Sequence, residues 1–251
     1  MTVSSTVEQP SPLTPSSSET DDGANDPSEH LRTQFLRRVA HDIASPAGVT
    51  LTVLDELANG DRPRPELIAM AKRSLRRLMR ISDHLALVAE LEAGGLEPEL
   101  AAVDLCALTK QALEEALSID GRKDVVAAFD PPTSPMLIAG DGRLLLMVLR
   151  EIIGNALKLA TSRVAISTGA RDGSLTIRVD DDGPGFSEES TATLGRRFVK
   201  RSSARGLGLS LSMALEIVTA HGGHISFEAS TLPPNRRGKV GAGVVIVLRA
   251  P

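Results

Sequence analysis

Val179-Asp180-Asp181-Asp182-Gly183-Pro184-Gly185-Phe186 is the stretch that decides what kind of fold this 251-residue chain adopts. The alternating run Ser174 to Val179 predicts a strand that delivers three carboxylates. Two glycines spaced by one residue then free the backbone for a sharp turn or a close approach. A carboxylate at a strand end can accept a hydrogen bond from an exocyclic amine, and backbone without side chains beyond it leaves room for a flat ring. A surface turn rich in Asp and Gly is the other reading of this stretch taken alone. Its company favours a ligand pocket: Gly206-Leu207-Gly208-Leu209 opens a helical pattern about twenty residues on, and Asn155 closes an apolar helical pattern about twenty-five residues before.

Around this stretch the chain alternates between strand and helix signals. Asp124 to Phe129 and Met136 to Ala139 are short strand candidates, and Asp141 can cap a long helix from Arg143 to Leu159. Arg163 to Thr168 and Ser174 to Val179 predict a hairpin around Asp172-Gly173. A helix over about Leu209 to Ala220 and strands at Ile225 to Glu228 and Val244 to Leu248 follow, and a helix from Leu105 to Leu117 precedes. The expected fold is α+β, with an α/β sandwich over residues 104–251, helices on one face of a mixed sheet.

Upstream, residues 29–95 predict a helical hairpin. Its first helix runs from near Ser28 to Asn59-Gly60 and carries Leu31, Phe35, Val39, Ile43, Val49, Val53 and Leu57, with a break near Pro46. The second follows Pro65 with Leu67, Ala71, Leu75, Leu78, Leu85 and Val88 on one face and Lys72, Arg73, Arg76, Arg77 and Arg80 on the other. Two such helices cannot enclose their own apolar stripes, so a homodimer that forms a four-helix bundle is expected. Residues 1–28 are Ser, Thr, Pro and acid with scarcely any apolar periodicity, a composition that reads as a disordered tail.

Composition narrows the function classes. The net charge is −4, and residues 1–30 hold six acids and no Lys or Arg, which leaves only a slight basic balance elsewhere and no case for a nucleic-acid partner. No apolar run is long enough to span a bilayer, and no signal peptide is recognisable, so a cytoplasmic protein with no direct membrane span is expected. The single cysteine, Cys106, sits in a helical pattern and reads as core.

His41 is the candidate nucleophile. It stands off the apolar stripe of the first helix, and Asp42 follows it, so a carboxylate can hold one ring N–H and leave the other nitrogen nucleophilic. A solvated helical face is the alternative for this pair alone. His84, beside Asp83 on the second helix, reads as an ordinary surface residue, and His30, His221 and His224 as structural ones.

Together, His41-Asp42-Ile43-Ala44-Ser45-Pro46, the helix ending in Asn155, the Asp181-Asp182-Gly183-Pro184-Gly185 turn and Gly206-Leu207-Gly208 resemble sensor histidine kinases. The resemblance covers about residues 31 to 250 and extends to the gyrase, heat-shock chaperone and mismatch-repair ATPases. It implies that Asp181 recognises adenine, that Gly183 and Gly185 line the base, that Asn155 is a magnesium ligand, and that Gly206 and Gly208 cradle the triphosphate of ATP. A basic cluster, Arg196, Arg197, Lys200, Arg201 and Arg205, falls where the family has a mobile lid, with Arg201 expected to screen the phosphates. His41 becomes the phosphorylated residue, Asp42 its acid/base partner, and a response-regulator receiver domain the partner that takes the phosphoryl group. Several positions depart from the family's usual pattern: Glu151 stands where a second Asn is common, Ala204 replaces a glycine, Phe198 is the one aromatic left in the lid box with Gly195 at the earlier place, and Ser45 stands where Thr or Asn supports phosphatase activity. Glu151 shares a helix face with Asn155 and is expected to serve the nucleotide site. A histidine phosphotransferase that no longer uses ATP, or an ATPase-type switch, are the alternative readings.

Overall fold

The computed structural model describes residues 27–60, 64–93, 95–120, 122, 124–186 and 210–250. Two long helices open the described chain, α1 (Pro27–Ala58) and α2 (Pro65–Ala93). They pack on each other as a hairpin. α1 is continuous through Pro46, which differs from the break expected there. The Thr50 hydroxyl, one turn on, donates to the Pro46 carbonyl at 2.9 Å, and Pro46 itself is buried.

Beyond the hairpin come β1 (Ala101–Asp104), α3 (Leu105–Asp120), β2 (Val126–Phe129), β3 (Leu137–Gly140) and α4 (Gly142–Leu159), then β4 (Arg163–Arg171), β5 (Ser174–Asp181), α5 (Ser210–Ala220), β6 (His224–Ala229) and β7 (Ala242–Arg249). Five strands form one mixed sheet in the order β2-β4-β5-β7-β6. The β2–β4 pair is parallel and the other pairs are antiparallel. β3 stays out of this sheet and pairs instead with β1, a strand with no signal in the sequence reading. At four residues, β1 is too short to show a period.

The hairpin β4–β5 forms where its turn chemistry predicts. Arg171 pairs with Ser174, and Asp172 and Gly173 both take positive φ, 51° and 72°. Two positive φ values in a two-residue loop match the right-handed twist of the strands, and Asp-Gly tolerates them best.

α4 is the central helix of the α/β unit, flanked by α3 and α5 and packed on the sheet. Leu144 to Leu149, Ile152, Ile153, Ala156 and Leu157 are all buried, which is why its sequence is apolar nearly all round. Asp141 caps it, accepting the Leu144 N–H at 3.1 Å. Asp141 also ties in the end of α5: its backbone N–H donates to His221 Nε2 at 2.9 Å, while His221 Nδ1 lies 2.7 Å from the Ile217 carbonyl. A ring nitrogen that meets a carbonyl must carry the proton, so His221 is the neutral Nδ1–H form and serves as a structural splice. Leu175, Ile177 and Val179 of β5 and Ile246 and Leu248 of β7 complete the core, together with the buried Cys106.

Candidate functional site

At the end of β5 three consecutive aspartates are all buried, at 3, 5 and 1% exposure for Asp180, Asp181 and Asp182. Their environments divide their roles. Asp180 accepts from Arg178 Nε at 2.8 Å, from the Thr231 hydroxyl at 2.7 Å and from the Thr231 N–H at 3.1 Å. Asp182 Oδ1 accepts the N–H groups of Thr161, Ser162 and Arg163 at 2.8 to 2.9 Å, and Oδ2 takes the Ser162 hydroxyl at 2.7 Å. Burial works against its charged form, but those donors from Ser162, Arg163 and Thr161 outweigh it and hold the Asp182 carboxyl at about 2. Both residues are thereby spent on the fold.

Asp181 is different. Its Oδ1 accepts the Gly183 N–H at 2.7 Å and the Ala242 N–H at 3.3 Å, and Oδ2 takes no hydrogen bond among the described residues. Burial pushes its carboxyl up, with those two N–H groups opposing and the neighbouring Asp182 and Asp180 charges adding to the rise. A buried carboxylate with one oxygen fixed and the other open is built to meet a ligand donor.

The two glycines are explained by what surrounds them. A Cβ on Gly183 would sit on the carbonyl oxygen of Leu159, the last residue of α4. Gly185 has φ +75°, in the region that favours glycine, and a side chain there would press on the Val240 carbonyl. Phe186 then packs edge-to-face on Phe227, with ring centroids 5.7 Å apart, and fixes where the chain leaves the turn.

The Gly183–Leu159 contact brings Asn155 to this turn. Asn155 lies one helical turn before Leu159, so about 6 Å along the axis separates it from the residue on which Gly183 rests. It is half-buried, and its carboxamide has no hydrogen-bond partner among the described residues, so a hard oxygen is free for a cation. Glu151 lies one turn further back and is 8% exposed.

Two residues of α2 hold Glu151, and one of them corrects the sequence reading. His84, expected at the surface, is 7% exposed, and its Nε2 lies 3.4 Å from Glu151 Oε1. Arg80 Nε stands 3.8 Å from the same oxygen. His84 lines a small cavity between α4 and α5 together with Met147, Val148, Met213, Ala214 and Ile217. Nothing local on α2 shows this burial, because the surface that covers His84 comes from helices sixty and more residues away.

His41 sits on the hairpin. Its side chain is 80% exposed, and Nδ1 lies 3.3 Å from Asp42 Oδ1. Asp42 also faces Arg77 Nη2 of α2 at 3.8 Å. Where the hairpin meets the α/β unit it does so through α2, with Arg76, Arg80, His84 and Glu90 among the contacts, rather than through His41. Gly206, Gly208 and Arg201, with the rest of the basic cluster, lie outside the described residues.

One residue with many contacts at the turn was invisible in the sequence. Asn235, in the β6–β7 loop, donates through Nδ2 to the Asp182 carbonyl at 2.9 Å and reaches the Gly183 carbonyl and the Thr161 hydroxyl at 3.3 Å each. Its run, Pro233-Pro234-Asn235-Arg236-Arg237-Gly238, carries only turn signals.

Known proteins resemble this chain in sequence and in fold. Residues 140–251 match the family model of the histidine kinase-, DNA gyrase B- and HSP90-like ATPases. The signal transduction histidine-protein kinase AfsQ2 of Streptomyces coelicolor is 29% identical over 223 residues, 80% of this chain and 40% of that protein. BaeS of Escherichia coli, also a signal transduction histidine-protein kinase, is 28% identical over 208 residues, 78% of this chain and 44% of its own. The chain thus spans less than half the length of either relative. Among solved structures, the Acinetobacter baumannii histidine kinase AdeS shares the fold with a TM-score of 0.54 at 20% identity, over 83% of this chain and 97% of that one. The mycobacterial sensor histidine kinase MprB does so with a TM-score of 0.51 at 24% identity, over 59% of this chain and 97% of that one. Residues 140–251 therefore form an ATPase domain of the histidine kinase, gyrase B and HSP90 type, in a chain homologous to sensor histidine kinases.

Proposed function

We propose that this chain is the transmitter part of a histidine kinase: residues 104–251 bind ATP with magnesium, His41 accepts the γ-phosphoryl group, and a receiver-domain aspartate takes it from His41. The observation that carries the reading is Asp181, a buried carboxylate with Oδ1 fixed by two backbone N–H groups and Oδ2 open beside a glycine turn. Such an oxygen suits the exocyclic amine of adenine, and the side-chain-free turn at Gly183 and Gly185 suits its ring. Asn155 would supply an oxygen to the cation, and Glu151, one turn away, would hold the water shell that magnesium retains. Bound magnesium supplies charge neutralisation on the phosphates.

The chain's own part in transfer follows from the hairpin. His41 Nδ1–H faces the Asp42 carboxylate, which leaves Nε2 unprotonated as the nucleophile. As the P–N bond to Nε2 forms, the bond from the γ-phosphorus to the bridging oxygen breaks and ADP leaves. Asp42 accepts the Nδ1 proton, so the phosphorylated imidazole ends neutral. Gly206, Gly208 and Arg201 are assigned to the phosphates by resemblance. The hairpin, residues 29–95, is assigned to dimerisation and phosphoacceptance, and residues 1–28 to a tail outside both.

The decisive experiment is incubation of the full chain with γ-labelled ATP and magnesium. Label that is acid-labile and base-stable, absent from His41→Gln and lost on chelation of magnesium, is the expected result. A chain that binds ATP but leaves His41 unlabelled is a switch ATPase, and one that binds no ATP while accepting phosphoryl groups from a receiver domain is a phosphotransferase.

A further inference from the structure

We infer that Asn235 is a positioning residue of the nucleotide site, through which the β6–β7 loop sets the geometry of Asp181; this rests on the ATP-binding reading above. The loop, residues 230–241, touches every aspartate of the turn. Thr231 binds Asp180, Gly241 lies against the backbone of Asp181 so closely that a Cβ there would overlap the Asp181 carbonyl, and the next residue, Ala242, donates its N–H to Asp181 Oδ1. Asn235 closes the collar on the remaining side.

The orientation of its carboxamide follows from its partners. Oδ1 accepts the Arg237 and Lys239 N–H groups at 2.9 and 3.2 Å, while Nδ2 faces the Asp182 and Gly183 carbonyls. A flipped amide would set oxygen against carbonyl oxygens and NH₂ against N–H groups. One half of the side chain therefore closes its own loop, and the other half holds the carbonyl of the peptide after Gly183 and that of the Asp182–Gly183 step itself. The Gly183 N–H belongs to that step and fixes Asp181 Oδ1 at 2.7 Å. A displacement of this backbone moves the carboxylate that faces the base. Asn235 touches neither reacting atoms nor the open Oδ2; it acts through Asp181. Burial of a side chain with both ends satisfied, 9% exposed between the exposed residues 233–234 and 236–240, also makes it costly to replace.

Two substitutions separate loop closure from positioning. Asn235→Asp keeps the acceptor for Arg237 and Lys239 but removes the donor and turns an oxygen toward the Asp182 and Gly183 carbonyls. Asn235→Ala removes both halves. With the full chain and magnesium-ATP, both variants are expected to raise the ATP dissociation constant roughly tenfold. The ATP concentration that half-saturates His41 labelling should rise in step, with the labelling rate at saturating ATP unchanged. Amide hydrogen exchange provides a second readout that needs neither catalysis nor nucleotide: the Gly183 N–H should exchange faster in both variants. If Asn235→Asp matches the parent in ATP affinity, whatever Asn235→Ala does, the residue only closes its loop and the inference falls. Unchanged Gly183 exchange in Asn235→Asp overturns it equally. If the parent itself binds no ATP, the ATP-binding reading fails, and Gly183 exchange still decides whether Asn235 holds the turn.

Discussion

Adjacent aspartates in one strand end can be tuned in opposite directions, and Asp181 and Asp182 show how. Asp182 is depressed to about 2 from 3.8, so its ionised form favours the fold. That contribution is complete above the ordinary carboxylate value and is lost as pH falls from about 4 to about 2, an effect on the order of 2 kcal/mol. Asp182→Asn leaves three backbone N–H groups with a poorer acceptor and is expected to lower stability by about 1–3 kcal/mol at neutral pH. Acid titration of the variant by circular dichroism should lack the pH 4 to 2 component seen in the parent. Asp181 is raised, so its ionised form costs stability at any pH above its folded value. Asp181→Asn is therefore expected to leave the melting temperature unchanged or raised, while ATP affinity falls tenfold or more by calorimetry. A fall in melting temperature as large as that of Asp182→Asn would show that Asp181 serves the fold. Three aspartates before Gly-Pro-Gly are legible in sequence as a site. Which one is open to a ligand does not follow from the residues themselves, where only the family resemblance singles out Asp181, because Thr161 to Arg163 and Thr231 arrive from distant parts of the chain.

Elements show the same limit one level up. The period of α4 and its Asp141 cap predict the helix and place Glu151 and Asn155 on one face, since residues four apart share it. What Glu151 meets is decided by where α2 docks on the α/β unit, which brings Arg80 and His84 to its carboxylate. A double-mutant cycle with His84→Gln, Glu151→Gln and the pair should show coupling of about 0.5–3 kcal/mol in chemical denaturation. Additive changes would mean that the two side chains are merely adjacent. Asp42 belongs to a different element and should show no coupling to Glu151: Asp42→Asn is expected to slow His41 labelling by about tenfold to a hundredfold with ATP affinity intact, measured by initial rates at saturating ATP.

The whole molecule leaves an apolar surface on its hairpin. Leu36, Leu51, Leu54, Leu75 and Met79 are 48 to 65% exposed in the single chain, whereas Val39, Val53, Ala71 and Ile81 are buried within it. Burial of such side chains stabilises by about 1.5–3 kcal/mol each, which is reason enough for two copies to associate as a four-helix bundle. Leu51→Glu with Leu54→Glu is expected to convert a dimer into a monomer in sedimentation experiments at micromolar concentration. Because both positions face solvent in the single chain, its folding and ATP binding should be unchanged. A parent that already sediments as a monomer would refute the bundle. No helix among the described residues is long and apolar enough to cross a membrane.

The sequence by itself determined the local elements: helices at a 3.6 period, the Asp172-Gly173 hairpin, the cap at Asp141, and the glycine turn after Asp182 with its positive φ at Gly185. These depend on the neighbouring few residues, whose sterics and hydrogen bonding are present in the string. The tertiary structure alone decided that His84 is buried against Glu151, that β3 pairs with β1 outside the main sheet, and that Asn235 closes the turn around Asp181. Burial and hydrogen-bond satisfaction at these residues depend on surfaces brought together from 33 to 74 residues away, and desolvation has no local signature in a sequence.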